Sequence, residues 1–196
     1  MQFTPEGVCL VHVRRETGDR PLVTLCAISP ESKVDVPVLE KLAKEHQLNR
    51  YNTSFLLNSG QYQLLVVEAP GVPAAELKTA VRWRIKDMID FPVDNATVDI
   101  IDIPADKNAH SRKRSLYAVA ARNEVIKKRM TDFDAARLPV SVIDIPELAQ
   151  RNIASLLEDK DRGMALLSFD ENGGLLTFTF EGELYSSRHI DVPLSQ

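Results

Sequence analysis

Residues 61–104 read QYQLLVVEAPGVPAAELKTAVRWRIKDMIDFPVDNATVDIIDIP, and this stretch decides the fold. Its first part, 62–68, is short, apolar and rich in β-branched residues, which marks a strand. Pro70-Gly71-Val72-Pro73 is a turn, and Pro73 fits the first turn of a helix, where its missing N–H costs nothing. Leu77, Val81, Ile85, Met88 and Ile89 recur at helical spacing and predict one apolar stripe on a helix over 73–90. Pro92 ends that helix, because its ring clashes with the preceding turn. Residues 97–103 form the return strand, with Val98 and Ile100 on one face and Asp99, Ile101 and Ile103 on the other.

Upstream, 8–13 and 22–28 read as a hairpin turning at Thr17-Gly18-Asp19. A turn centred there sets Cys9 about opposite Cys26, where a cross-strand disulfide is conceivable. A reducing compartment instead makes two free, buried thiols the expectation. Asp35 is an N-cap for a helix with Val38, Leu39, Leu42 and Ala43 on one face, fraying near Gln47. Residues 53–57 are a strand and Asn58-Ser59-Gly60 a turn.

Downstream, ADKNAHSRKR (105–114) carries Lys107, Arg112, Lys113 and Arg114. It reads as a solvated hairpin tip, the alternative being a basic loop that touches phosphate or acidic headgroups. A strand over 115–121 follows, then a helix capped by Asn123 with Val125, Ile126, Met130 and Phe133 inward, then a strand over 140–143. Asp144 precedes Glu147 by three residues, a capping-box spacing, with Pro146 in the first turn. The predicted buried face of that helix is Ala149, Ile153, Leu156 and Leu157. After a charged break at 159–162, strands over 165–169, 175–180 and 184–190 form a meander with turns at Asn172-Gly173-Gly174 and Glu181-Gly182.

From 61 to 143 the order is β-α-β-β-α-β, the split βαβ order of a ferredoxin-like unit. The flanking pieces do not share it and read as an outer α/β subdomain into which it is inserted. The 196 residues carry 24 Lys and Arg against 28 Asp and Glu, a net charge of −4, with no long basic block. That excludes a dedicated nucleic-acid binder, whose affinity rests on a basic face. No apolar run is long enough to span a bilayer, and the first residues lack the charged start and apolar core of a signal peptide. The expected location is the cytoplasm. His12, His46, His110 and His189 share no metal-ligand spacing, and no Cys-x-x-Cys occurs. No G-x-S-x-G, P-loop or G-x-G-x-x-G is present. Asp87, Asp90, Asp99 and Asp102 read as solvated faces and caps.

The run from Pro70 to Pro104, with Glu76-Leu77, Ile89, Phe91-Pro92 and Asp99-Ile100 as its marks, resembles the actin-like pilus-assembly family of PilM and, more closely, MshI of mannose-sensitive (MSHA) pilus biogenesis. YAVAARNEVI (117–126) and LPVSVIDIPELAQRNIA (138–154) extend the likeness. The resemblance implies the N-terminal portion of an actin-like (ribonuclease H-like) α/β fold. Residues 1–60 would open subdomain 1A, 61–145 would be an inserted ferredoxin-like subdomain 1C, 146–162 a helix returning to 1A, and 163–196 the start of the second half. The remainder of that half would then lie beyond Gln196 or be reduced.

Actin-like ATPases open each half with Asp-x-Gly, whose backbone cradles phosphate and whose aspartate orients metal-bound water. The 8–15 segment lacks it, with Gly18-Asp19 reversed and too late, and the second half carries Ser168-x-Asp170 in its place. The expectation is a non-catalytic scaffold with no cofactor. Its implied partners are the cytoplasmic tail of a PilN-like bitopic inner-membrane protein, which would tie it to the inner membrane, and other components of the pilus-assembly platform. An active ATPase using ATP and magnesium, and the cytoplasmic domain of a type II secretion protein L, are the alternatives. The candidate partner surface is the outer side of the 73–90 helix, with Arg82, Trp83, Lys86 and Phe91. Trp83 lies about 120° off the Leu77 stripe. It either packs against the neighbouring subdomain or offers apolar area to a partner.

Overall fold

The computed structural model describes residues 1–15, 20–31, 33–105, 114–170 and 173–192. In chain order its elements are β1 (Gln2–Thr4), β2 (Gly7–Arg14), β3 (Leu22–Ser29), α1 (Val36–Glu45), β4 (Thr53–Leu56), β5 (Tyr62–Glu68), α2 (Ala74–Arg84), β6 (Ala96–Ile103) and β7 (Ser115–Arg122). They continue with α3 (Asn123–Ala135), β8 (Val140–Asp144), α4 (Pro146–Ala154), β9 (Met164–Asp170), β10 (Gly173–Phe180) and β11 (Glu183–Ile190). Two compact units result: Met1–Asn58 with Ile126–Pro146, and Ser59–Val125 with Glu147–Gln196. The expected turn at Thr17-Gly18-Asp19, the loop cations Lys107, Arg112 and Lys113, and Asn172 lie outside the described residues. Arg114 is described and pairs with Asp102 at 2.5 Å.

The first unit is a mixed five-stranded sheet of order β3-β2-β1-β4-β8. Only β2 runs against the rest: β1 and β3 pair with it antiparallel, while β1–β4 and β4–β8 are parallel. The sequence reading begins one strand too late. β1 is three residues long and followed by Pro5, too short to show a period of two. Its Phe3 nevertheless anchors the core, 5.2 Å from the Phe55 ring and 5.9 Å from that of Phe133. The Arg129 guanidinium sits 4.5 Å over Phe3. Burial pulls its pKa down, and the charge of Asp132 opposes that. α1 starts as predicted, Asp35 accepting from the Val38 N–H at 3.4 Å, and buries Leu39 and Leu42.

Gly7 opens β2 at φ 137°, and a Cβ there would stand 1.9 Å from the Ser29 carbonyl oxygen. Only glycine lets the end of β3 pass so close. The β2–β3 register pairs Cys9 with Ile28 and Cys26 with Val11, so the two thiols are diagonal neighbours rather than opposite. Diagonal side chains stand about 7–8 Å apart, beyond disulfide reach. Both cysteines are free, and Cys26 is exposed rather than buried.

The second unit holds two antiparallel three-stranded sheets, β5-β7-β6 and β11-β10-β9. Leu77, Val81 and Ile85 of the α2 stripe are buried with Val67, Phe91, Val98, Leu116 and Ala118. α2 ends at Arg84, six residues before the predicted end, so Pro92 is not what stops it. The chain continues in turns, with Ile85 N–H donating to Val81 O and Met88 N–H to Ile85 O. Met88, expected on the stripe, is 48% exposed. The expected ferredoxin-like βαββαβ unit is also corrected. Its last strand, β8, pairs in parallel with β4, Phe55 opposite Ile143, and leaves a three-stranded sheet behind. The order β-α-β-β-α-β is the same for either pairing. The bonds from Thr53 N–H to Pro139 O and from Leu57 N–H to Asp144 O decide it.

Candidate functional site

The outer side of α2 separates the four predicted contact residues. Trp83 is 57% exposed, so it is not core, and Lys86 is exposed beside it. Arg82 is committed elsewhere: its Nη2 donates to the Val93 carbonyl at 2.7 Å and lies 3.9 Å from an Asp94 oxygen. It pins α2 to the turn that precedes β6. Phe91 is buried in the core, with the Arg122 guanidinium 4.5 Å over its ring. The corner at Phe91-Pro92 therefore offers a partner little apolar area. Lys78 meets Asp99 at 3.0 Å across the same side. What remains open is an aromatic ring with Arg84 and Lys86 around it.

The second site is one that sequence reasoning missed. α4 is amphipathic as predicted, but it buries its polar side. Glu147, Gln150 and Ala154 are buried, while Ile153, Leu156 and Leu157 are exposed and Ala149 half-buried. Glu147 has no exposed surface. Tyr62 Oη donates to its Oε2 at 2.6 Å, and His189 Nε2 stands 3.1 Å from Oε1. Burial first, then the Glu147 charge and the hydrogen bond to it, push the Tyr62 phenol far above its usual range. Tyr117 is also raised, chiefly by burial, and donates to the Tyr185 carbonyl at 3.3 Å. One turn on, Gln150 Nε2 donates to Ser168 Oγ at 2.5 Å and to the Leu175 carbonyl at 3.2 Å, and Gln150 Oε1 accepts from Thr177 at 2.8 Å. Glu158 then accepts from Thr179 Oγ1 and from the Gly182 N–H. Helix and sheet are joined by charge-assisted and amide bonds rather than by a greasy seam. The signal in the sequence is the i, i+3 spacing of Glu147 and Gln150, matched by the threonine alternation of β10.

Two hairpins, β1–β2 and β9–β10, end on the same kind of pair, a glycine opposite the last residue of the preceding strand. Thr4 pairs with Gly7 across the first turn and Asp170 with Gly173 across the second. Like Gly7, Gly173 has a positive φ, 128°, and a Cβ on it would stand 2.4 Å from the Ile190 carbonyl oxygen. The first-half counterpart of Ser168-Phe169-Asp170 is thus Gln2-Phe3-Thr4, not the 8–15 segment. Neither triplet is Asp-x-Gly.

The chain has an actin-like α/β fold: a mixed five-stranded sheet, the β5-β7-β6 sheet that follows in sequence under α2, and a β9–β10 hairpin that repeats the end pairing of β1–β2. The sequence profile of the type IV pilus assembly protein PilM family matches residues 36–173, and the chain belongs to that family. The PilM–PilN type IV pilus biogenesis complex contains a similar structure, with a TM-score of 0.73 at 19% identity, covering 98% of this chain and 60% of that one. This chain thus spans 60% of that relative's length. The cytoplasmic domain of EpsL, an inner membrane component of the type II secretion system of Vibrio cholerae, matches with a TM-score of 0.62 at 10% identity, covering 96% of this chain and 68% of that one. A Bacteroides thetaiotaomicron protein with an actin-like ATPase fold and unknown function reaches 0.49 at 8% identity, covering 98% of this chain and 74% of that one. No curated protein sequence matches. Among the described residues, no helix is long and apolar enough to cross a membrane.

Proposed function

We propose that this chain is a non-catalytic scaffold of type IV pilus biogenesis, of the MshI kind that serves MSHA pili. It works in the cytoplasm and holds the cytoplasmic tail of a PilN-like inner-membrane protein, through which it stays beside the membrane. Membership of the PilM family carries this reading. The likeness to a structure of the PilM–PilN type IV pilus biogenesis complex supports the choice of partner. The absence of Asp-x-Gly at both hairpins supports a fold retained without nucleotide chemistry: Thr4 and Asp170 stand where a glycine would approach phosphate, and Asp170 would repel it.

The tail docks on the outer side of α2, where Trp83 supplies apolar area and Lys86 meets acidic or carbonyl groups. A peptide of the tail should bind the full chain in isothermal titration, and Trp83→Ala should weaken it by more than about tenfold, or about 1.4 kcal/mol. Equal affinities would move the interface off α2, and no binding by either protein would refute the partner. Thermal unfolding with ATP and magnesium tests the catalytic alternative. A ligand at a hundred times its dissociation constant adds about 2.7 kcal/mol, so a clear upward shift would overturn the scaffold reading. The EpsL likeness favours a second reading, a type II secretion protein L domain. Preferential binding of the tail from that system's partner would select it.

A further inference from the structure

We draw no further inference here: the strongest candidate, the outward apolar face of the β11-β10-β9 sheet on which Leu167, Phe169 and Phe178 are exposed, carries nothing because nothing among the described residues shows what covers it.

Discussion

Removing one oxygen atom from Tyr62 probes the join between α4 and the β5-β7-β6 sheet most directly. Tyr62 is 8% exposed and its hydroxyl lies 2.6 Å from an oxygen of Glu147, which has no exposed surface. Tyr62→Phe keeps the ring and opens almost no cavity, so the cost is that of a hydrogen bond to a charged acceptor, about 1.5–3 kcal/mol. With Glu147→Gln in place the acceptor is neutral, and the same change should cost about 0.5–1.5 kcal/mol. The difference between the two costs is the coupling of the pair. Urea unfolding followed by far-ultraviolet circular dichroism measures all four proteins, with an unchanged slope confirming that only stability moved. A cost below about 0.5 kcal/mol for Tyr62→Phe, or the same cost in both backgrounds, would refute a charge-assisted bond. The phenol adds a pH test. Its folded pKa lies above its unfolded one, so the unfolded chain releases the proton first. Stability from Tyr62 is therefore full below about pH 10 and declines as pH rises beyond it. The Tyr62→Phe protein should lose less stability on going from neutral to strongly alkaline buffer than the wild type does.

Leu77→Ala and Ile85→Ala should each destabilise by about 2–5 kcal/mol in the same assay, as deletions from a buried stripe. Arg82→Ala should cost about 0.5–1.5 kcal/mol, since it removes one of two donors to the Val93 carbonyl, which keeps the Ala96 N–H, while Trp83→Ala stays within about 0.5 kcal/mol. Stability losses in the reverse order would mean that α2 is rotated from its described setting. Gly7→Ala should cost more than about 2 kcal/mol, since no rearrangement short of moving β3 clears the Ser29 carbonyl, and a wild-type midpoint would disprove that close approach. Thiol titration of denatured, unreduced protein should count both cysteines, with Cys26 also reacting in the folded state.

α2 and α4 show where the sequence was a sufficient guide and where it was not. The Leu77, Val81 and Ile85 stripe was legible because apolar residues at helical spacing were met by an apolar sheet. Ile153 near the end of α4, with Leu156 and Leu157 in the turn beyond it, continues an equally regular stripe, yet those residues face outward. The partners that reward burying Glu147 and Gln150 come from positions as distant as Tyr62 and His189, and no local period reports them. The pairing of β8 with β4 was hidden for a similar reason: element order restricts topology but does not choose between two available edges. On the candidate surface, Trp83 and Lys86 were legible as exposed. Arg82 and Phe91 were not, because the carbonyl that holds one and the arginine that covers the other lie outside the helix.

Trp83 has a spectroscopic consequence. The chain holds one tryptophan, and that residue stands on the surface. Indole emission will report what touches α2 and will be nearly blind to unfolding, because the ring meets water in both states. A quencher such as acrylamide should reach it freely in the folded protein and lose that access only when something settles on the helix. No engineered label is needed to watch that event, and a fluorescence trace that stays flat through a denaturant series must not be taken as resistance to unfolding.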